Sequence, residues 1–476
     1  MNQPEVKSAG SFSSEAGSFR DRDGRIYRSS GRIFRGVSAR ALEEFQKLES
    51  CRFYTKFLQN GQLVETAILE PDKVPLSQAE KEKWSGFMEH SLIPVISYPY
   101  EWTFGMLRDA ALLQLNLVEA AILEGMTLKD ATPYNIQFVS GRPVFIDIPS
   151  FETLPAGTPW AGYRQFCEMF LFPLLVQAYK GMDFQPLMRA SIDGIGVQTA
   201  SRMFGFRDLF RAGVWSHVWL QAKLDARYGS TSQNVRSDLK SAGFNKELIL
   251  ANVRKMRKLV TKLSWQGDGS EWGNYEEFHN YSESDHLLKA SFIEECVSAS
   301  EAGLVWDIGC NTGQFSKIAA NHANEVIAMD LDHFAVERLY REIRAEKIES
   351  VLTLLQNVAD PSPNWGWRNS ERTDLVTRAR PDLVLCLALI HHVVISANIP
   401  LEEFVGWLAE ISDQLILEYV SRSDDKVETL LRNKEDKYFD YSRQNLENAL
   451  EQHFGIVRQQ SLESGNRFLY WCRKAG

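Results

Sequence analysis

Residues 304–320 read LVWDIGCNTGQFSKIAA. An apolar run ends in Asp307. Gly309, Asn311 and Gly313 follow in quick succession, and helical spacing begins after them. Glycines at a strand-to-helix turn let the backbone come close to a ligand at the helix start. Two kinds of site use such a turn. A dinucleotide site wants G-x-G-x-x-G around a pyrophosphate. Here Asn311 stands where the middle glycine would be, and a carboxylate precedes the first glycine. A carboxylate there suits a cationic amino-acid group better than a pyrophosphate. From about residue 300 the chain alternates strand and helix, which predicts an α/β unit with a parallel sheet.

Three further landmarks follow in order. EVIAMD (325–330) ends in Asp330, placed to bind the two hydroxyls of a ribose, with Leu331 beside it to pack on a planar base. VLTLLQNVAD (351–360) leads to Asp360, which is placed to accept from an adenine amino group or to shape the turn before Pro361. PDLVLCLALIHHV (381–393) reads as a buried strand carrying Leu387 towards its end, then His391 and His392. A histidine titrates near neutral pH, so this pair are candidate catalytic bases, or residues that orient the loop.

In this order the landmarks resemble the class I S-adenosylmethionine-dependent methyltransferases, over roughly 270–476. The resemblance implies a Rossmann-like seven-stranded sheet whose last pair is GIVRQQSL and RFLYWCRK. It implies S-adenosyl-L-methionine as cofactor, with Asp307, Gly309, Asn311 and Gly313 around its methionine part. Asp330, Leu331, Asp360 and Leu387 would hold the adenosine. Asn311 departs from the commoner glycine. The preceding WGNYEEFHNYSESDHLLK offers Tyr275 and Tyr281 as residues that close over the cofactor, or as packing. The WGW at 365–367 reads as a substrate platform or as core.

Upstream, TLKDATPYNIQFVSGRPVFIDIPSF (127–151) places Asp130, Asn135 and Asp147 on a second pattern. Phosphotransferases use an aspartate to accept a hydroxyl proton, an asparagine five residues on for magnesium, and a later aspartate for a second magnesium. The stretch resembles a protein-kinase-like C-lobe over about 95–225, after a helix MLRDAALLQLNLVEAAILEGM with Leu107, Ala111, Leu115, Val118 and Ile122 on one stripe. That implies an α+β domain with a nucleotide and magnesium–ATP site, active or remnant. The pattern is incomplete. No His-Arg precedes Asp130, Ile148 and Pro149 follow Asp147, and Arg32, Arg35 and Lys56 are stand-ins for a strand lysine. The bland alternative is that Asp130 caps a turn and Asp147 ends a strand.

Composition sets the frame. The 476 residues are 44% hydrophobic and 24% charged, enough for two or three ordinary cores. A net charge of −9 argues against a general nucleic-acid binder. The first 25 residues hold no apolar run, so neither a signal peptide nor a membrane span is expected. Six scattered cysteines without a CxxC pair predict no metal cluster and a reducing, cytoplasmic setting. The expected organisation is a disordered arm (1–20), a kinase-like α+β domain (21–228), a linker with a basic helix (229–270) and a methyltransferase domain (271–476). In that helix Ile249, Val253, Met256, Val260 and Leu263 form one stripe opposite a solvated basic face. Across its length the chain also resembles the NoeA-like, nodulation-associated family, in ISYPYEWTFGMLRDAALLQL, LKDATPYNIQF and ALIHHVVISANIPL. That implies a methyltransferase acting on a small-molecule or saccharide-type acceptor. The alternatives are a bifunctional phosphotransferase and a non-catalytic scaffold. Neither the acceptor atom nor the oligomeric state is written in these motifs.

Overall fold

The computed structural model describes residues 13–228, 245–265, 282–432, 434–435 and 437–474. The N-terminal unit opens with β1 (Ser13–Ser14), β2 (Gly24–Ser29) and β3 (Arg32–Val37), then the helices Ala39–Glu49 and Arg52–Gln59. β4 (Thr66–Leu69) and β5 (Gly86–His90) complete an antiparallel sheet in the order β1-β2-β3-β5-β4. Residues 13–20 of the expected arm lie among the described residues. β1 pairs with β2, and Arg20 grips Glu371 through two bonds of 2.6 and 2.9 Å. Ser and Gly content predicted disorder there, but strand pairing and a charge pair override composition.

The helix Phe104–Leu123 buries the predicted stripe of Leu107, Ala111, Leu115, Val118 and Ile122. It also buries Met106, Ala110, Leu113 and Leu117, because it is covered on more than one side. β6 (Met126–Leu128) pairs with β9 (Phe151–Thr153), and β7 (Ile136–Val139) with β8 (Arg142–Phe145). Helical turns follow to Tyr228. The basic helix, Lys246–Lys262, keeps Lys255, Lys258 and Lys262 exposed and packs its other side on the helix Phe104–Leu123. Ile249, Val253, Met256 and Val260 are buried as predicted, and Arg254 and Arg257 bond Glu119 on the helix Phe104–Leu123. Its basic face is partly used for docking, so this helix belongs to the N-terminal unit.

The C-terminal unit holds β10 (Leu304–Ile308), β11 (Glu325–Asp330), β12 (Val351–Leu355), β13 (Leu383–Cys386), β14 (Gln414–Val420), β15 (Gly455–Ser461) and β16 (Arg467–Arg473). They form one seven-stranded sheet in the order β12-β11-β10-β13-β14-β16-β15. The first five run parallel, and β16 runs antiparallel to both its neighbours. This is the α/β sheet the motifs predicted, with the expected last pair.

The two units share a core. Phe104, Trp102 and Phe138 fall in the same buried cluster as Tyr340, Leu352 and Leu354. The helix Phe104–Leu123 is capped from the other unit: Phe104 N–H donates to His333 Nε2 at 3.0 Å, and Gly105 N–H to Glu337 Oε2 at 2.8 Å. A buried ion pair, Arg378 to Glu101 at 2.5 Å, closes the seam, and Glu101 also accepts from Tyr98 N–H at 2.8 Å. Satisfying helix N–H groups and buried charges across the boundary ties the units together.

Candidate functional site

A crevice of about 410 Å³ opens at the carboxyl ends of β10, β11 and β13. The strand order reverses at β10, which is where open α/β sheets bind ligands. The turn after β10 explains its own sequence. Gly309, Asn311 and Gly313 have φ of 76°, 49° and 78°. A Cβ at Gly313 would come within 2.4 Å of Leu339, so glycine lets this turn pack against the helix His333–Glu346. Asn311 is one of the few other residues that tolerate this region. Its backbone N–H donates to Asp330 Oδ2 at 2.9 Å, and its buried side-chain Oδ1 has no partner.

Both predicted carboxylates are present and strained by burial. Asp307 is held by the Ser316 hydroxyl at 2.5 Å, and burial pushes it up to about 6 against the pull of Ser316 and Lys289. Asp330 accepts from Asn311 and Asp332 N–H groups, yet burial still raises it. Leu331 stays 64% exposed at the rim, a large apolar side chain open to a flat partner. Leu387 and His392 complete the crevice among the predicted residues.

Three predicted residues stand outside the lining: Gly313, which closes the turn against Leu339, Asp360 and His391. β12 ends at Leu355, so Asp360 lies beyond the crevice with its side chain 73% exposed, bonded to Arg189; Asn357, Val358 and Ala359 form that wall instead. His391 is buried behind His392, ring centroids 4.2 Å apart, with Nδ1 unpartnered. Burial, then His392, hold it well below neutral, and burial lowers His392 to about 4. Both are neutral at pH 7, which argues against either acting as an acid there. Tyr275 and Tyr281 lie outside the described residues. Trp365 packs edge-on to Tyr100, while Trp367 is 63% exposed.

Sequence reasoning missed Lys289. It lines the crevice from the helix Glu283–Ser300 and pairs with Glu418 at 2.6 Å; Glu418 also meets Arg467. A signal existed. Asp285, Lys289, Phe292 and Cys296 recur at helical spacing, so two charges lay on a buried stripe.

The second predicted trio also meets. Asp130, Asn135 and Asp147 line a cavity of about 620 Å³ in the N-terminal unit. Asn135 Nδ2 donates to Asp147 Oδ2 at 3.2 Å, and Arg35 Nη1 to Asp147 Oδ1 at 2.5 Å. Of the three stand-ins, Arg35 is thus the one at the cavity; Arg32 pairs with Glu89 on the surface and Lys56 is exposed. Burial and the Asp147 charge push Asp130 up to about 6. His90 Nε2, buried at the cavity wall, has no partner.

No protein-family model matches the chain. The nodulation protein NoeA of Rhizobium meliloti is 31% identical over 439 residues, 92% of this chain and 91% of that protein. Among solved structures, the chain is similar to the N-methyltransferase NodS of Bradyrhizobium japonicum WM9 in complex with S-adenosyl-L-homocysteine. That likeness has 11% identity, covers 44% of this chain and 100% of the other, and has a TM-score of 0.31. Magnesium protoporphyrin IX methyltransferase of Synechocystis PCC 6803 with bound S-adenosylmethionine is 15% identical, over 56% of this chain and 95% of its own, with a TM-score of 0.29. At such scores the strand order above carries the fold, not these likenesses.

Proposed function

The chain belongs to the family of the nodulation protein NoeA, and from that premise we propose that it is an S-adenosylmethionine-dependent methyltransferase. One observation carries the reading: Asp307, the Gly309–Gly313 turn and Asp330 converge on one crevice where the strand order reverses. The residues fit the cofactor. Asp307 and the unpartnered Asn311 Oδ1 suit its ammonium group, Asp330 its ribose hydroxyls, and Leu331 its adenine face. Asn357 takes the base-recognition role that Asp360 is too far round the loop to fill.

When bound, the cofactor supplies a methyl group on a sulfonium sulfur. The chain's residues bind its two ends, keep water out with Leu387, Leu389 and Val393, and hold an acceptor in line. His392 is neutral and faces the crevice, so it serves to orient an acceptor hydroxyl or amine rather than to donate a proton. The acceptor is a small molecule, of saccharide type. No described helix is long and apolar enough to cross a membrane. A cytoplasmic setting is part of this reading, in keeping with six scattered cysteines that form no CxxC pair. Calorimetric titration of the full chain with S-adenosylhomocysteine tests the reading: binding that is lost in Asp330→Ala is expected, and no binding to the wild type sinks it.

A second reading is magnesium–ATP-dependent phosphotransfer in the N-terminal unit, favoured by the meeting of Asp130, Asn135 and Asp147. Oxygen ligands for a divalent cation stand beside Arg35 and Lys129, which suit phosphate oxygens, and Ile26, Ile33, Val64 and Ile146 form an apolar slot for a ring. ATP turnover by the wild type that disappears in Asp130→Asn is the expected result.

A further inference from the structure

The connection from Gln356 to Asp374, between β12 and the helix Leu375–Arg378, is a wall of two cavities at once. Asn357, Val358 and Ala359 line the cofactor crevice. Glu371 and Arg372 line the N-terminal cavity. Between these ends, the N-terminal unit holds the connection at successive anchors. Arg189 bonds the Asp360 carboxylate at 3.1 and 3.3 Å and the Pro361 carbonyl at 2.9 Å. Trp365 stands edge-on to Tyr100, ring centroids 5.8 Å apart. Glu371, with a fully buried side chain, accepts from Arg20 at 2.6 and 2.9 Å and from Trp367 N–H at 3.0 Å. Thr373 N–H donates to the Tyr98 hydroxyl at 3.2 Å.

Two features make this connection more than a tie. Arg368 and Asn369, exposed at its tip, have φ of 58° and 53°, the left-handed region that few residues other than glycine adopt. Arg372 is a cation held only from its own side of the cavity, its Nη1 donating to the Glu371 carbonyl at 3.0 Å and standing 3.8 Å from the Glu371 carboxylate. Its guanidinium lies 4.3 Å from the Tyr134 ring centre, and its Nε is buried with no partner. Arg372 lines the N-terminal cavity together with Arg35 and Lys129, so an anion there would find its guanidinium among the cations of the wall. Binding there would add a bond between the cavity and the connection, and so restrict the wall of the cofactor crevice. Restricting one site's wall in advance lowers the ordering cost of the second ligand.

We infer that residues 356–374 couple the two cavities: a phosphate-bearing ligand carried with a divalent cation in the N-terminal cavity engages Arg372 and tightens S-adenosyl ligand binding in the crevice. The inference rests on both readings above for its two ligands, and it requires no turnover. The test is a titration of the full chain with S-adenosylhomocysteine, with and without saturating magnesium–ATP, and the converse titration. The expected result is about a fivefold fall in the homocysteine Kd, matched by an equal fall for magnesium–ATP, as linkage demands. In Arg372→Ala, magnesium–ATP binds more weakly and, at saturation, no longer moves the other Kd. Arg189→Ala, which frees the opposite anchor, also lowers the coupling. Magnesium–ATP binding that leaves the homocysteine Kd unchanged overturns the coupling alone. No magnesium–ATP binding overturns it together with the phosphotransfer reading, and no homocysteine binding overturns it together with methyl transfer. Coupling produced equally by adenosine without phosphate overturns the role of Arg372.

Discussion

The crevice at β10 and β11 and the cavity of the N-terminal unit each gather two carboxylates and an asparagine, but they are built in opposite ways. In the crevice, Asp307, Asn311 and Asp330 come from strand ends and the turn beside them, and their oxygens rest on backbone N–H groups and one hydroxyl. In the cavity, Asp147 is neutralised by Arg35 from the β-sheet, and two lining residues come from the other unit. The crevice gives neither carboxylate an ion pair within bonding reach, so each still has room for a cationic or hydroxyl-bearing ligand beside its N–H and hydroxyl donors. The cavity already carries an internal counter-charge, which a cation must displace from Asp147. A site of the first kind is made by local chain geometry; one of the second kind exists only if distant segments assemble.

The largest effect expected is at the seam on which both depend. Glu101→Ala strands Arg378, whose side chain is 4% exposed, and should cost about 3–5 kcal/mol in chemical denaturation. A loss under about 1 kcal/mol would mean the units do not rely on this pair. Asp330→Ala separates the two sites: S-adenosylhomocysteine affinity should fall by about 2–4 kcal/mol, two charge-assisted bonds, with magnesium–ATP binding untouched. An effect on both ligands would mean the sites are less distinct than their construction suggests.

Acidity sharpens the contrast further. Burial raises Asp307 to about 6 from 3.8, so its contribution to folding is fully present below the unfolded value and is lost as pH rises through about 6. Ligand binding runs the other way. The ammonium needs the ionised carboxylate, so homocysteine affinity should be flat above pH 6 and fall about tenfold per unit below it. Asp130 in the N-terminal cavity is also raised to about 6, so the pH profile of Asp307→Asn is the measurement that assigns the effect: the fall should shrink if Asp307 is responsible and persist unchanged if Asp130 is. The smallest effect expected is in Asn311→Gly. It removes a non-glycine φ of 49° and an unpartnered buried oxygen, and should stabilise the chain by up to about 1 kcal/mol in denaturation. A clear loss would show that the asparagine side chain has an uncharted partner.

Much of this was readable before any coordinates. The final strand pair was expected from the family resemblance, while the turn at Gly309–Gly313 and the aspartate closing β11 follow from strand and helix periods and from where glycine is needed. The stripe Ile249–Val260 was legible for the same reason, but its destination on the helix Phe104–Leu123 was not, since Glu119 lies far away in the chain. Asp360 falls outside the crevice lining because β12 stops at Leu355, and its carboxylate bonds Arg189 instead, a partner the sequence did not reveal. His391 was indistinguishable from His392 in sequence; only packing turns one inward and leaves the other at the crevice.

By itself the sequence determined the alternation of an α/β unit and the glycine-bearing turn after β10, because these depend on residues within a few positions of one another and on the fixed repeats of strand and helix; the count of seven strands came from the family resemblance. Only the tertiary structure decided that Arg35 meets Asp147, that His333 and Glu337 cap a helix of the other unit, and that one connection walls two cavities. Those contacts join residues more than a hundred positions apart. Their partners are chosen by which surfaces are buried together, and no local period records that choice.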